Sequence, residues 1–214
     1  MPIRMLHFFW DGPQMPLPLR ENLATWHDLH RDWELIVWDS ASLRWLAHRD
    51  LYDAASTIVR QDAIWQFRSD IARYEILARY GGFYADCDTY PLQSISPFVE
   101  GHDAFAAAED PNWVGNTYLY ADRAHLPVFI ALVDRLRASV NDRHKPRRPN
   151  QLTGPRYLTP IWHEFGAYVA PTHSWFPYSY TDVRRRVIPD VDPRTAVAVH
   201  QWHHHRTVLR VGYP

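Results

Sequence analysis

The chain has 214 residues, 46% of them hydrophobic and 22% charged, with 23 Lys and Arg against 24 Asp and Glu and a formal net charge of -1. That balance excludes a general electrostatic attraction to nucleic acid or to an anionic membrane, and the length favours one domain over residues 1–214 with a sizeable buried core. The single cysteine, Cys87, excludes an intrachain disulfide, no window approaches the roughly 20 apolar residues of a membrane span, and Asp11 interrupts any secretory leader, so a cytoplasmic chain that can still work beside a membrane is expected.

The opening RMLHFFW (4–10) is a short apolar run of β-favouring residues, and DGPQMPLP (11–18) behind it is rich in turn formers, which predicts a strand and a loop. Leu19, Leu23, Trp26 and Leu29 or His30 then recur at helical spacing, and ELIVWD (34–39) reads as a second buried strand. Strand, helix, strand is the start of a parallel α/β sheet. Residues 40–60 read as helical with breaks. From Asp62 to Tyr80 the pattern is clearest: Ile64, Phe67, Ile71, Tyr74 and Ala78 line one helical face, and Gly81 is a natural residue to end it. Asp70 and Arg73 lie three apart beside that stripe, close enough to pair.

In GGFYADCDTY (81–90) Phe83, Ala85 and Cys87 alternate with Tyr84, Asp86 and Asp88, and extended geometry would project Asp86 and Asp88 to one side and Cys87 to the other until Pro91 ends the element. A further strand is expected at DAFAAAE (103–109), a helix over 126–140 and another starting near Thr153, with final strands at HSWFPY (173–178) and TAVAVHQW (195–202). Between the helices, the basic stretch NDRHKPRRPNQ (141–151) is a loop, either a solvated connection or a segment over an anionic substrate.

Two carboxylates one residue apart repel, and the carboxyl ends of strands are where α/β sheets place their ligands. Mg²⁺ or Mn²⁺, shared between Asp86, Asp88 and a substrate diphosphate, would relieve that repulsion. The rival reading is a glycoside hydrolase using the two as acid and base. A pair on one face of one strand lies together rather than flanking a bond, which favours metal binding. A third reading, a non-catalytic carbohydrate-binding module, draws on the ten Trp and 12 Tyr as stacking platforms but has no use for a charged cluster around one turn.

The run SDIARYEILARYGGFYADCDTYPL (69–92) resembles the DXD-containing sugar-transferase family that includes initiating mannosyltransferases of yeast, capsular-polysaccharide transferases of bacteria and, more distantly, the large clostridial glucosylating toxins. RMLHFFWDGPQMP, WELIVWD, NQLTGPRYLTP and AVHQWHHH resemble further segments of that family, with least support between 91 and 150. The resemblance implies a GT-A type α/β fold and a retaining transferase that moves a sugar from a UDP- or GDP-sugar to a saccharide, lipid-linked or protein acceptor. It further implies that Trp10 lies against the nucleotide base, that Asp70 and Arg73 hold the donor sugar, that Asp86 contacts ribose or sugar, and that Asp88 binds the metal. His200 or a neighbouring histidine in 200–205 would complete the metal shell, Trp202 would cover the donor, and Asn116 resembles a family asparagine near the donor. Thr153 and Gly154 either cap a helix or turn its free N–H groups towards acceptor or phosphate.

Overall fold

A computed structural model describes residues 3–202. Its centre is a six-stranded sheet of β1 (Met5–Phe9), β2 (Glu34–Trp38), β3 (Gly82–Ala85), β5 (Ala104–Ala108), β6 (Val114–Ala121) and β7 (Tyr168–Ala170), in the spatial order β2-β1-β3-β6-β5-β7. Five strands run one way and β6 alone runs against its neighbours β3 and β5. A separate ribbon pairs β4 (Thr89–Pro91) antiparallel with β8 (Ala198–His200).

Strand alternation sorts the apolar residues into two cores. Leu6, Phe8, Phe83, Ala85, Phe105, Tyr118 and Tyr120 face one side, where Trp26 of α1 (Leu17–Leu29) and Trp175 pack on them. Phe9, Tyr84, Ala106 and Leu119 face the other, against α4 (Ile64–Tyr80), α6 (Pro127–Asn141) and α8 (Pro155–Glu164). The short α2 (Arg49–Asp53) and α3 (Ala55–Ile58) are the broken helical stretch expected over 40–60. α5 (Ser96–Val99) and α7 (Pro149–Leu152) are single turns.

The glycine pair is a steric necessity. Gly81 ends α4 at φ 69°, where a Cβ would lie 2.8 Å from the Arg123 backbone; at Gly82, φ 89°, it would lie 2.6 Å from the Met5 carbonyl and 2.9 Å from His7 Nε2. The helix that carries Asp70 and Arg73 is thereby turned directly into β3.

Three expectations are corrected. HSWFPY is not a strand: Thr172–Trp175 forms the one-turn helix α9, followed by α10 (Tyr180–Arg185), and Trp175 is buried among Phe83, Phe105 and Tyr118. Extended structure stops at Ala85, and Asp86–Asp88 forms a turn in which Thr89 donates its N–H and hydroxyl to the Asp86 carbonyl. The elements expected from sequence leave the stretch between 109 and 126 without a strand, whereas β6 fills Val114–Ala121. No helix among the described residues is long and apolar enough to cross a membrane.

Candidate active site

A cavity of about 600 Å³ opens where the carboxyl ends of β1 and β3 meet α4. Asp62, Trp65, Gln66, Ser69, Asp70 and Arg73 line it at three- and four-residue spacing along α4 and the turn before it. The same helix points Ile64, Phe67, Ile71, Tyr74 and Ala78 into the core, so one periodic segment serves packing on one side and the site on the other. Trp10, Asp86, Asp88, Asn116, His200 and Trp202 line the same cavity, so the structure brings these together with Asp70 and Arg73, whereas Thr153 and Gly154 are not among its lining residues. His203, His204 and His205 lie outside those residues.

Arg73 is the hub. It is 2% exposed and donates to the Ser69 carbonyl at 3.2 Å, the Ser69 hydroxyl at 2.9 Å, the Asn116 carbonyl and Asp86 Oδ1 at 2.9 Å, with Asp70 Oδ1 at 3.4 Å. Its guanidinium also sits 4.8 Å from the centre of the Tyr84 ring. Burial opposes its charge, but Asp86, Tyr84 and Asp70 together hold it above the usual arginine range. With its donors engaged by the protein, Arg73 offers the cavity positive charge more than free hydrogen bonds.

Asp70, 1% exposed, accepts from Thr153 Oγ1 at 2.7 Å and Asn116 Nδ2 at 2.8 Å. Burial pushes its carboxyl up to about 6 against the pull of Arg73. Thr153 and Asn116 thus act through Asp70. Gly154 caps α8 by position, and its own N–H is taken by the Pro149 carbonyl rather than facing the cavity. Trp10 is braced, its Nε1–H donating to the Pro13 carbonyl at 2.8 Å and its ring lying where a Cβ on Gly12 would come within 3.0 Å.

Asp86, Asp88 and His200 offer two carboxylate oxygens and an imidazole nitrogen within 4.8 Å of one another. His200 reaches the turn because β8 pairs with β4, and its Nε2 lies 3.1 Å from Asp88 Oδ1. Burial works against charge on His200, yet Asp88 prevails and raises its pKa. Hard oxygens with one imidazole are a donor set that suits Mn²⁺ or Mg²⁺. The residues present fit a divalent ion.

Sequence reasoning missed several contributors. Glu109, just past β5, lines the cavity, and its carboxylate forms no hydrogen bond or ion pair among the described residues. Burial raises its pKa, with His200 pulling the other way. Its only sequence signal was an acid at a strand end, masked by the turn-like Asp110-Pro111. Asn22 of α1 donates to the Cys87 carbonyl at 3.2 Å and to Gln201 Oε1 at 2.9 Å, and Gln201 donates its backbone N–H to the Asp88 carbonyl at 2.8 Å. These contacts cross from one end of the chain to the other and leave no local pattern.

A sheet with one reversed strand, a carboxylate turn at its edge and a cavity over that edge define the GT-A class of glycosyltransferase fold. Two solved structures agree in fold: the PaToxG glycosyltransferase (TM-score 0.60, 15% identical, covering 77% of this chain and 69% of that one) and the UDP-bound glycosyltransferase domain of the YGT toxin (TM-score 0.55, 10% identical, covering 88% and 87%). Residues 18–106 match the family model described as a glycosyltransferase sugar-binding region containing a DXD motif. Inositol phosphoceramide mannosyltransferase 3 of Schizosaccharomyces pombe is 25% identical over 166 residues, 74% of this chain and 44% of that protein. Mannosyl phosphorylinositol ceramide synthase CSH1 of Saccharomyces cerevisiae is 25% identical over 150 residues, 64% and 36% of the two chains. The chain spans less than half the length of these relatives.

Proposed function

We propose that the chain is a divalent-metal-dependent, retaining glycosyltransferase that moves a hexosyl group from a nucleotide-diphosphate sugar to a hydroxyl acceptor. The observation that carries this reading is the convergence of Asp70, Arg73, Asp86, Asp88, Asn116, His200 and Trp202 on one cavity large enough for such a donor. Asp86, Asp88 and His200 would hold Mn²⁺ or Mg²⁺. When bound, the ion supplies positive charge against the diphosphate as it leaves. Arg73 adds a fixed positive charge to the same wall and keeps Asp86 and Asp70 in place. Asp70 receives donor-sugar hydroxyls, the Trp10 ring borders the base, and Trp202 covers the donor from the C-terminal side. Glu109 is left to accept a hydrogen bond from the acceptor.

The hydrolase reading loses ground because the Asp86 and Asp88 oxygens converge within 4.8 Å on one point together with His200, whereas hydrolase pairs stand about 5 to 10 Å apart around a bond. The relatives' names speak of mannosyl transfer, so GDP-mannose is the first donor to try, with UDP-sugars beside it. The test is release of nucleotide diphosphate across a donor panel, with and without Mn²⁺. Turnover with at least one donor, lost on chelation and in Asp88→Asn, is expected; metal-independent release or full activity of Asp88→Asn would overturn the metal assignment.

A further inference from the structure

Two basic segments each lead to a residue that lines the cavity, and they serve none of the roles assigned above. The first, 142–148, carries four Lys and Arg against one Asp and runs straight into α7, whose Asn150 lines the cavity. Arg143, Arg147 and Arg148 are exposed. The second is the end of α10 and its exit: Arg184, Arg185 and Arg186 are exposed, Val187 is 66% exposed, and Tyr180 is 40% exposed. Arg184 lies 5.8 Å from the Tyr180 ring, and that ring lies 6.1 Å from Trp202, a cavity residue.

Neither segment is neutralised locally. Among the described residues none of these six arginines forms an ion pair; Lys145 reaches the Ser139 hydroxyl and the Tyr157 ring, Arg147 reaches the Val140 carbonyl, and Arg185 is felt by Asp182, which itself caps α10 through Ser179. Arg186 closes α10 at φ 58°, ψ 33°, a left-handed position where glycine is the comfortable residue, and so holds an arginine and the following valine outward. On a chain of formal net charge -1, six arginines with no ion pair among the described residues, in two segments that each lead to a cavity residue, are a strong local asymmetry. Arginines interleaved with an exposed tyrosine and valine match an anionic bilayer surface, with phosphates for the guanidiniums and the interfacial layer for the side chains that dislike water.

We propose that the two segments seat the rim of the cavity on an anionic phospholipid surface. On the transferase reading, on which this consequence rests, the acceptor is then a saccharide or polyol carried by a lipid and presented from the plane of the bilayer.

The test is co-sedimentation with vesicles of phosphatidylcholine alone and of phosphatidylcholine mixed with phosphatidylserine. The variants are Arg184→Gln/Arg185→Gln/Arg186→Gln and Arg143→Gln/Arg147→Gln/Arg148→Gln, each checked for an unchanged unfolding midpoint. The wild type is expected to bind the mixed vesicles and not the neutral ones, to be released by salt, and to lose about a hundredfold in partitioning with each triple substitution. Equal binding to both vesicles, no binding to either, or unaltered binding of both variants would overturn the proposal; so would retention on heparin without vesicle binding, which gives the rim to a soluble polyanion. Stabilisation by Mn²⁺ with UDP or GDP, measured without vesicles, reports separately on the transferase reading and should be the same in wild type and variants.

Discussion

Glu109 and Asp88 are both cavity carboxylates, but their surroundings give them different tasks. Asp88 shares a point with Asp86 and His200, while Asp70 and Asp86 are both held by Arg73. Among the described residues the Glu109 carboxylate forms no hydrogen bond or ion pair, and such an acid in a pocket of charged pairs is available to a substrate hydroxyl. Glu109→Gln keeps the shape and removes the charge. It should leave Mn²⁺-dependent binding of UDP or GDP within about twofold of wild type, as read by calorimetry, while slowing sugar transfer on the order of a hundredfold, the range of a single well-placed proton acceptor. Loss of nucleotide binding as complete as in Asp88→Asn would instead make Glu109 part of the metal site. Of these residues Asp70 and Arg73 are legible by helical spacing and Asp86 and Asp88 by the motif, whereas His200 enters the sequence reading only through the family resemblance. His200 depends on a strand pairing across 112 positions, and no periodicity near it points to Asp88.

At the scale of elements, β1 and the end of α4 are locked by a neutral histidine. His7 Nε2 donates to the Gly81 carbonyl at 2.8 Å while its Nδ1 accepts from Trp38 Nε1 at 3.2 Å, so both ring nitrogens are satisfied only in the uncharged form. Burial lowers its pKa from 6.5 to about 4, against the opposing pull of the Gly81 hydrogen bond. Between those values the unfolded chain binds the proton and the folded one does not, so the stability this site provides is full above 6.5 and is lost as the pH falls towards 4. The loss is about 3 kcal/mol in size. Asp70 acts in the opposite sense: its raised pKa favours the folded state at low pH and costs stability as the pH rises to about 6. Urea unfolding across this range should therefore show His7→Gln less stable at neutral pH and losing less on acidification than wild type; parallel pH profiles would refute the role of His7. The elements misread from sequence fail for physical reasons too. β6 is buried along its whole length, so it lacks the alternation of a half-exposed strand, and Gly115-Asn116 looks like a turn. The aromatic run at 173–178 has strand propensity, but Trp175 finds its core partners from a helical turn.

Across the whole molecule the site depends on three distant segments meeting at one turn. α1 supplies Asn22, the turn after β3 supplies the Cys87 and Asp88 carbonyls, and β8 with the residue after it supplies His200 and Gln201. Asn22 is 4% exposed, and its amide joins the turn to Gln201, so it fixes how closely β8 approaches the carboxylates. The α/β layering could be read from the order of strands and helices, because each unit is coded within about 20 residues by its own periodicity. The closure of the site could not, since a buried amide bridging residues 65 and 179 positions away has no signature until the chain has folded. Asn22→Ala removes both bonds and leaves the Cys87 carbonyl and the Gln201 amide to find other partners. The expected cost is about 2 kcal/mol of stability, or roughly 4 to 8 °C in midpoint for a chain of this length. Because Asn22 touches no ligand atom itself, the more telling change lies in metal binding. Partners that only orient a metal site typically contribute 10- to 100-fold in affinity, so Mn²⁺ titration in the presence of nucleotide should weaken by about that factor. A variant that loses stability but binds Mn²⁺ as wild type would show that β8 is held at the turn by its pairing with β4 alone.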